Sequence, residues 1–212
     1  MFASCGLYTY IFSLYPPISF DDKGSNLLEL YHNLSNNDGA DQEFLGYEIF
    51  YRAYDDPAIA NDDAVLLNNA VDNYENNPDG FMNYTEGLGF LRLRKKTDST
   101  DNPPLVIISD SSPELYYLEL NSGSDWVISP DQSITSDDIV LVRSISLDYT
   151  TRRSFYTATN YRKGDADYEG ESSPKTVFFV FFATAFGTDT TSFTNIYSLP
   201  KVIDSIIEYN LY

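Results

Sequence analysis

The 212-residue chain carries 32 Asp and Glu against 13 Lys and Arg, a formal net charge of −19, and 42% of its residues are hydrophobic. Such a charge argues against a nucleic-acid partner, because phosphate binding needs a basic footprint, and against electrostatic docking on an anionic membrane. A core can be buried at this hydrophobic content, no apolar run reaches the roughly 18 residues of a membrane helix, and the single cysteine, Cys5, rules out an internal disulfide or a multi-cysteine metal site.

In chain order, residues 7–12 alternate as a strand, and Pro16-Pro17 breaks it or places it at a sheet edge. Residues 27–31 read as the next strand, and the polar run 35–41 as a turn. Residues 45–54 form the clearest strand of the first half, with Tyr47, Ile49, Tyr51 and Ala53 on one face and Glu48, Phe50, Arg52 and Tyr54 on the other. Asp56-Pro57 then caps and opens a helix, on which Ala64, Leu67, Ala70, Val71 and Tyr74 recur at helical spacing. Pro78-Asp79-Gly80 is expected to end it. Strand patterns resume at 89–94, followed by a polar loop over 97–104. Further strands are expected at 105–108, 115–120, 126–128, 139–145 and 154–159, with Asn121-Ser122-Gly123-Ser124 as a hairpin turn. Residues 176–186 (TVFFVFFATAF) are apolar on both faces, as a central strand requires. Residues 187–192 turn the chain, and 193–198 run back. The C-terminus carries a weak helical pattern.

Few residues bear chemistry. His32 is the sole histidine and alternates with Leu28, Leu30 and Leu34 towards the end of an inward face. With no Gly-x-Ser-x-Gly elbow, a structural, hydrogen-bonded role is the expected one. In the stretch from Gly164 to Glu171, Asp165, Asp167 and Glu169 followed by Gly170 match the opening of a calcium loop. The twelfth loop position falls on Thr176, which cannot supply a bidentate carboxylate, so the expected role is a solvated turn, with calcium the weaker alternative. Arg92, Arg94, Lys95 and Lys96 gather four of the thirteen basic residues. Arg92 and Arg94 share a face that could dock an acidic partner, but a solvated strand end paired with nearby acids is the ordinary expectation. No catalytic residue and no cofactor are assigned.

Cys5 stands out by its neighbours. The order Phe2-Ala3-Ser4-Cys5-Gly6 is an apolar residue, two small residues and a cysteine, as a bacterial lipoprotein signal ends. Cleavage before Cys5 and acylation of its sulfur and new N-terminus would anchor the chain, since two or more acyl chains hold firmly where one does not.

Two resemblances build on these residues. Pro16 to Phe20, the strand Gly46-Tyr47-Glu48-Ile49-Phe50-Tyr51-Arg52, and Phe178 to Gly187 followed by Ile196-Tyr197-Ser198-Leu199-Pro200 resemble strands of a fibronectin type III module. The chain departs from that pattern in lacking a second-strand tryptophan. The likeness implies a mainly β, fibronectin type III or immunoglobulin-like sandwich formed by residues 16–56 and 172–212, after a leader and tether over 1–15. Residues 57–171 would be a helix and a β-rich insertion or second lobe. With Cys5-Gly6-Leu7 the chain also resembles small lipoproteins of spirochaetes. That likeness implies a lipid-anchored protein of the bacterial cell envelope, at the outer membrane or the periplasmic face. Its membrane contact would run through lipidated Cys5. It would act as a non-catalytic binding or surface-recognition module for an unknown protein or carbohydrate ligand, because sandwich loops cluster at the sheet ends where recognition occurs. The alternatives are a carboxylate-dependent glycoside hydrolase and a purely structural envelope protein.

Overall fold

A computed structural model describes residues 14–38, 42–97, 103–108, 112, 114–130, 138–189 and 192–212; Cys5 and the strand expected at 7–12 lie outside them. The first part of the chain forms β1 (Ser19–Asp22), β2 (Leu27–Tyr31), β3 (Gln42–Tyr54), α1 (Pro57–Asn73), α2 (Pro78–Gly87), β4 (Leu91–Arg92), β5 (Arg94–Lys95) and β6 (Val106–Ile107). There follow β7 (Leu115–Glu119), β8 (Trp126–Ser129), β9 (Ile139–Ser144), β10 (Arg152–Arg153), β11 (Tyr168–Glu169), β12 (Thr176–Asp189), β13 (Asn195–Tyr197), β14 (Lys201–Val202) and β15 (Ile207–Asn210).

The fold is mainly β, two sheets facing each other with two α-helices among the described residues. One sheet runs β1-β2-β7-β8-β9-β10, with β5 also on β9. The other is built on the long antiparallel pair β3 and β12. Around that pair stand β13, β14 and β15 on β12, β4 and β6 on β3, and β11 as a short parallel partner of β3. Strands β7, β8 and β9 therefore extend the sheet that β1 and β2 begin.

The alternation in β3 and β12 explains the layering. Tyr47, Ile49, Tyr51 and Ala53, with Val177, Phe179, Phe181, Ala183 and Ala185, turn inward and pack against Leu28, Leu30, Leu118, Trp126, Ile128 and Leu141 of the facing sheet. Phe50, Tyr54, Val180 and Phe182 turn outward and are covered by Ala60, Ala64, Leu67 and Ala70 of α1 and by Phe81 of α2. A strand buried on both faces must be apolar on both, which is the origin of the run at 176–186. The register pairs Phe181 with Tyr51 and Ala185 with Tyr47, then shifts between Phe186 and Gly187, leaving Leu45 as the bulged residue. Gly46 is obligatory beside this bulge: its φ is +150°, and an added Cβ would lie 1.8 Å from the Val106 carbonyl oxygen.

Three expectations about elements are corrected. Pro78-Asp79-Gly80 does not simply stop a helix. Asn77 accepts from the Gly80 N–H at 3.0 Å and Pro78 takes the first helical position, so the same residues open α2. Residues 154–159 do not form a strand. The pairing ends at Arg153, and Ala158–Asn160 is a 3-10 turn held by Asn160 Nδ2 on the Ser154 carbonyl at 3.1 Å. The C-terminal pattern is a strand, β15, paired with β12 from Phe179↔Ile207 to Thr176↔Asn210.

Candidate functional site

His32 lies in the core, 1% exposed, with Nδ1 2.8 Å from the Tyr47 hydroxyl and its ring stacked on Phe44 at 5.5 Å. The same hydroxyl accepts from the Asn33 N–H at 2.9 Å. Burial pushes the Tyr47 phenol up to about 12, so it stays neutral beside the imidazole.

Asp165, Asp167 and Glu169 are each engaged by an arginine. Arg143 spans Asp167 with Nε to Oδ2 at 2.9 Å and Nη2 to Oδ1 at 2.7 Å, both partners being wholly buried. Tyr51 donates to the same carboxylate at 2.6 Å and accepts from the Ser144 N–H at 2.9 Å. The Arg143 guanidinium also lies 3.8 Å from the centroid of the Tyr161 ring and donates to the Asn160 carbonyl at 2.6 Å. Burial opposes its charge, but the adjoining Asp167 carboxylate outweighs this and raises the Arg143 pKa. Asp165 meets Arg153 at 3.0 Å, and Glu169 pairs with Arg52, which also reaches Asp63 of α1 at 2.8 Å. Alternating acids along this segment thus serve as a row of arginine acceptors fastening β9, β3 and α1 to the chain around β11. Among the described residues, no group of three or more His, Cys, Asp or Glu side chains is placed to hold a metal ion.

The basic strand differs most from its expected role. Arg92 and Arg94 are 8% and 3% exposed, not a solvated end. β4 pairs with β3 and β5 with β9, so the chain crosses from one sheet to the other at Leu93, which enters the core between them while Arg92 shares the outer face of β3 with Phe50. Arg92 donates to Glu48 at 3.3 Å. Tyr149 covers the pair, its ring centroid 4.8 Å from the Arg92 guanidinium carbon and 5.6 Å from that of Arg94.

Tyr149 has φ of +57°, a left-handed conformation that costs a side-chain-bearing residue about 1–2 kcal/mol. The turn around it is braced. Asp148 Oδ1 accepts from Ser146 Oγ at 2.6 Å, Thr150 Oγ1 at 2.9 Å and the Thr150 N–H at 3.2 Å. Those bonds, the Ser146 hydroxyl first, hold the Asp148 pKa below the ordinary carboxylate range. The Tyr149 N–H itself bonds the Ser146 carbonyl at 3.0 Å.

A cleft of about 420 Å³ opens beside this pair on the outer face of the β3–β12 sheet, opposite the core face that holds Tyr47 and His32. Its buried lining is Phe50, Thr85, Phe90 and Arg92; α2 adds the exposed Asn83 and Glu86, and β13 the exposed Asn195 and half-buried Tyr197. Tyr197 is held edge-on against Phe186 at 5.3 Å. Two other hollows, of about 390 and 460 Å³, have no buried charged side chain in their lining. The sequence marked Arg92 and Arg94, but Tyr149 and α2 carried no signal that would have brought them to the same place. Comparison of the chain with protein-family models, curated proteins and solved structures finds no match.

Proposed function

We propose that this chain is a non-catalytic binding module of a bacterial cell envelope, anchored through a lipidated Cys5 and capturing its ligand in the cleft between α2, the Tyr149 turn and β13. The observation that carries the reading is Tyr149. A strained backbone conformation is held by the hydrogen bonds of one turn and presents an aromatic ring over two buried arginines at the mouth of a cleft. Strain of this kind persists where a surrounding structure enforces it, and it concentrates at ligand sites. The sole histidine lies on the opposite face of the sheet, bonded to Tyr47, and so is remote from the chemistry of this cleft. The anchor is supported by the residue order before Cys5 and by a body too acidic to hold an anionic surface by charge. The Gly46 to Arg52 strand and the two-sheet architecture support reading the sandwich as fibronectin type III-like.

The test has two arms. Expression from the full upstream reading frame in a lipoprotein-processing host should give protein that partitions into detergent and carries lipid on its N-terminal peptide, while Cys5→Ser remains aqueous. An unmodified Met1 would sink the anchor. For the cleft, envelope extracts passed over immobilised protein should leave a ligand on wild type that Asn195→Ala fails to retain. Equal retention by both would sink the binding reading.

A further inference from the structure

Resting on the cleft reading above, we infer that the ligand is a neutral saccharide. The argument is chemical complementarity. Arg92 is matched by Glu48, and Glu86 adds a second carboxylate at the rim, in a chain of net charge −19. An anion would meet a lining without excess positive charge inside a repulsive field. An apolar ligand would strip water from the exposed Asn83, Glu86 and Asn195 without replacing their hydrogen bonds, at a cost of a few kcal/mol for each group. Hydroxyl groups both donate and accept, and the exposed lining offers both: the amide donors of Asn83 and Asn195, and the carboxylate and amide acceptors of Glu86, Asn83 and Asn195. The C–H faces of a pyranose ring pack on aromatic rings, and Tyr149 and Tyr197 supply two that their neighbours already hold in place. Rigid aromatic contacts reduce the ordering cost of binding. The cleft volume of about 420 Å³ lies within the range of small-molecule sites, roughly 300–1,000 Å³.

The test is titration calorimetry of the purified domain with cellobiose, maltose, lactose, mannobiose and diacetylchitobiose, against inorganic phosphate and a sulfated disaccharide as anionic probes. Asn83→Ala, Glu86→Gln and Asn195→Ala alter exposed side chains, so their unfolding midpoints should match wild type. At least one neutral disaccharide should bind, and each substitution should weaken it about five- to tenfold, as loss of one hydrogen bond to a ligand does. Binding of the anionic probes alone, weakened by the same substitutions, would overturn the saccharide inference and leave the binding module standing. Neutral binding indifferent to all three substitutions would overturn the inference as well. If no probe binds and the extract experiment also retains nothing that depends on Asn195, both readings fall.

Discussion

Removing the Asp167 carboxylate should unfold this protein far more readily than its single position suggests. In Asp167→Ala, Arg143 loses its bonds at 2.9 and 2.7 Å, and Tyr51 loses its acceptor at 2.6 Å, all in a region from which water is excluded. Of its polar partners Arg143 keeps the Asn160 carbonyl at 2.6 Å and Asp165 at 3.4 Å, beside the Tyr161 ring. Stranding one partner of a buried ion pair costs about 3–5 kcal/mol. In a chain of this size about 1 kcal/mol moves the melting point by roughly 2–4 °C, so the expected fall is roughly 6–20 °C. Urea unfolding followed through Trp126 fluorescence reads it directly, since that ring is wholly buried and stacks on Phe155 at 3.8 Å. The double variant Arg143→Met/Asp167→Ala removes both charges and should recover more than half of the loss, because an apolar replacement no longer strands a cation. A cost below about 1 kcal/mol for Asp167→Ala, or a double variant no better than the single one, would refute the claim that this pair joins the sheets.

Alkaline pH should destabilise the fold from near pH 10 upward. Burial raises the pKa of Tyr51 and Tyr161 well above the ordinary value and that of Tyr47 to about 12. The folded state therefore keeps protons that the unfolded chain has lost, and stability present below pH 10 drains away as pH rises through the folded pKa values; Tyr47 alone accounts for about 2–3 kcal/mol by pH 12. Tyrosinate absorbance should rise together with loss of circular dichroism, and complete ionisation in a still-folded protein would contradict this. Gly46→Ala should cost at least about 2 kcal/mol by urea unfolding, because the new Cβ meets the Val106 carbonyl in a backbone conformation that side chains resist; a near-neutral result would mean that β6 moves freely. Asn77→Ala removes the cap of α2, with an expected loss of about 0.5–2 kcal/mol and weaker ligand binding through loosened Asn83 and Glu86; unchanged affinity would show that α2 does not shape the cleft.

Legibility in the sequence followed the strength of local pattern. The two faces of 45–54 and the doubly apolar run at 176–186 were readable because period-two alternation and burial on both sides leave a direct trace. α2 was missed because a proline-led turn can close one helix or open the next, and the choice falls to the Asn77 cap. The strand expected at 154–159 was suggested by apolar residues such as Phe155, which is buried by its stack on Trp126 and not by pairing in a sheet. Arg92 and Arg94 read as surface charges, since nothing local announces that the chain crosses between sheets at Leu93 or that Tyr149, more than fifty residues later, lies over them. Long-range encounters of that kind make the cleft, and sequence periodicity does not encode them.

The most direct test of the central claim is a backbone amide NMR titration of the isotope-labelled domain with the disaccharide that binds most tightly in calorimetry. Shifts should concentrate at Asn83, Glu86, Tyr149, Asn195 and Tyr197, with the core signals of His32 and Tyr47 unmoved. Shifts gathered at the 390 Å³ or 460 Å³ hollow instead, or spread evenly over the sandwich, would contradict the account.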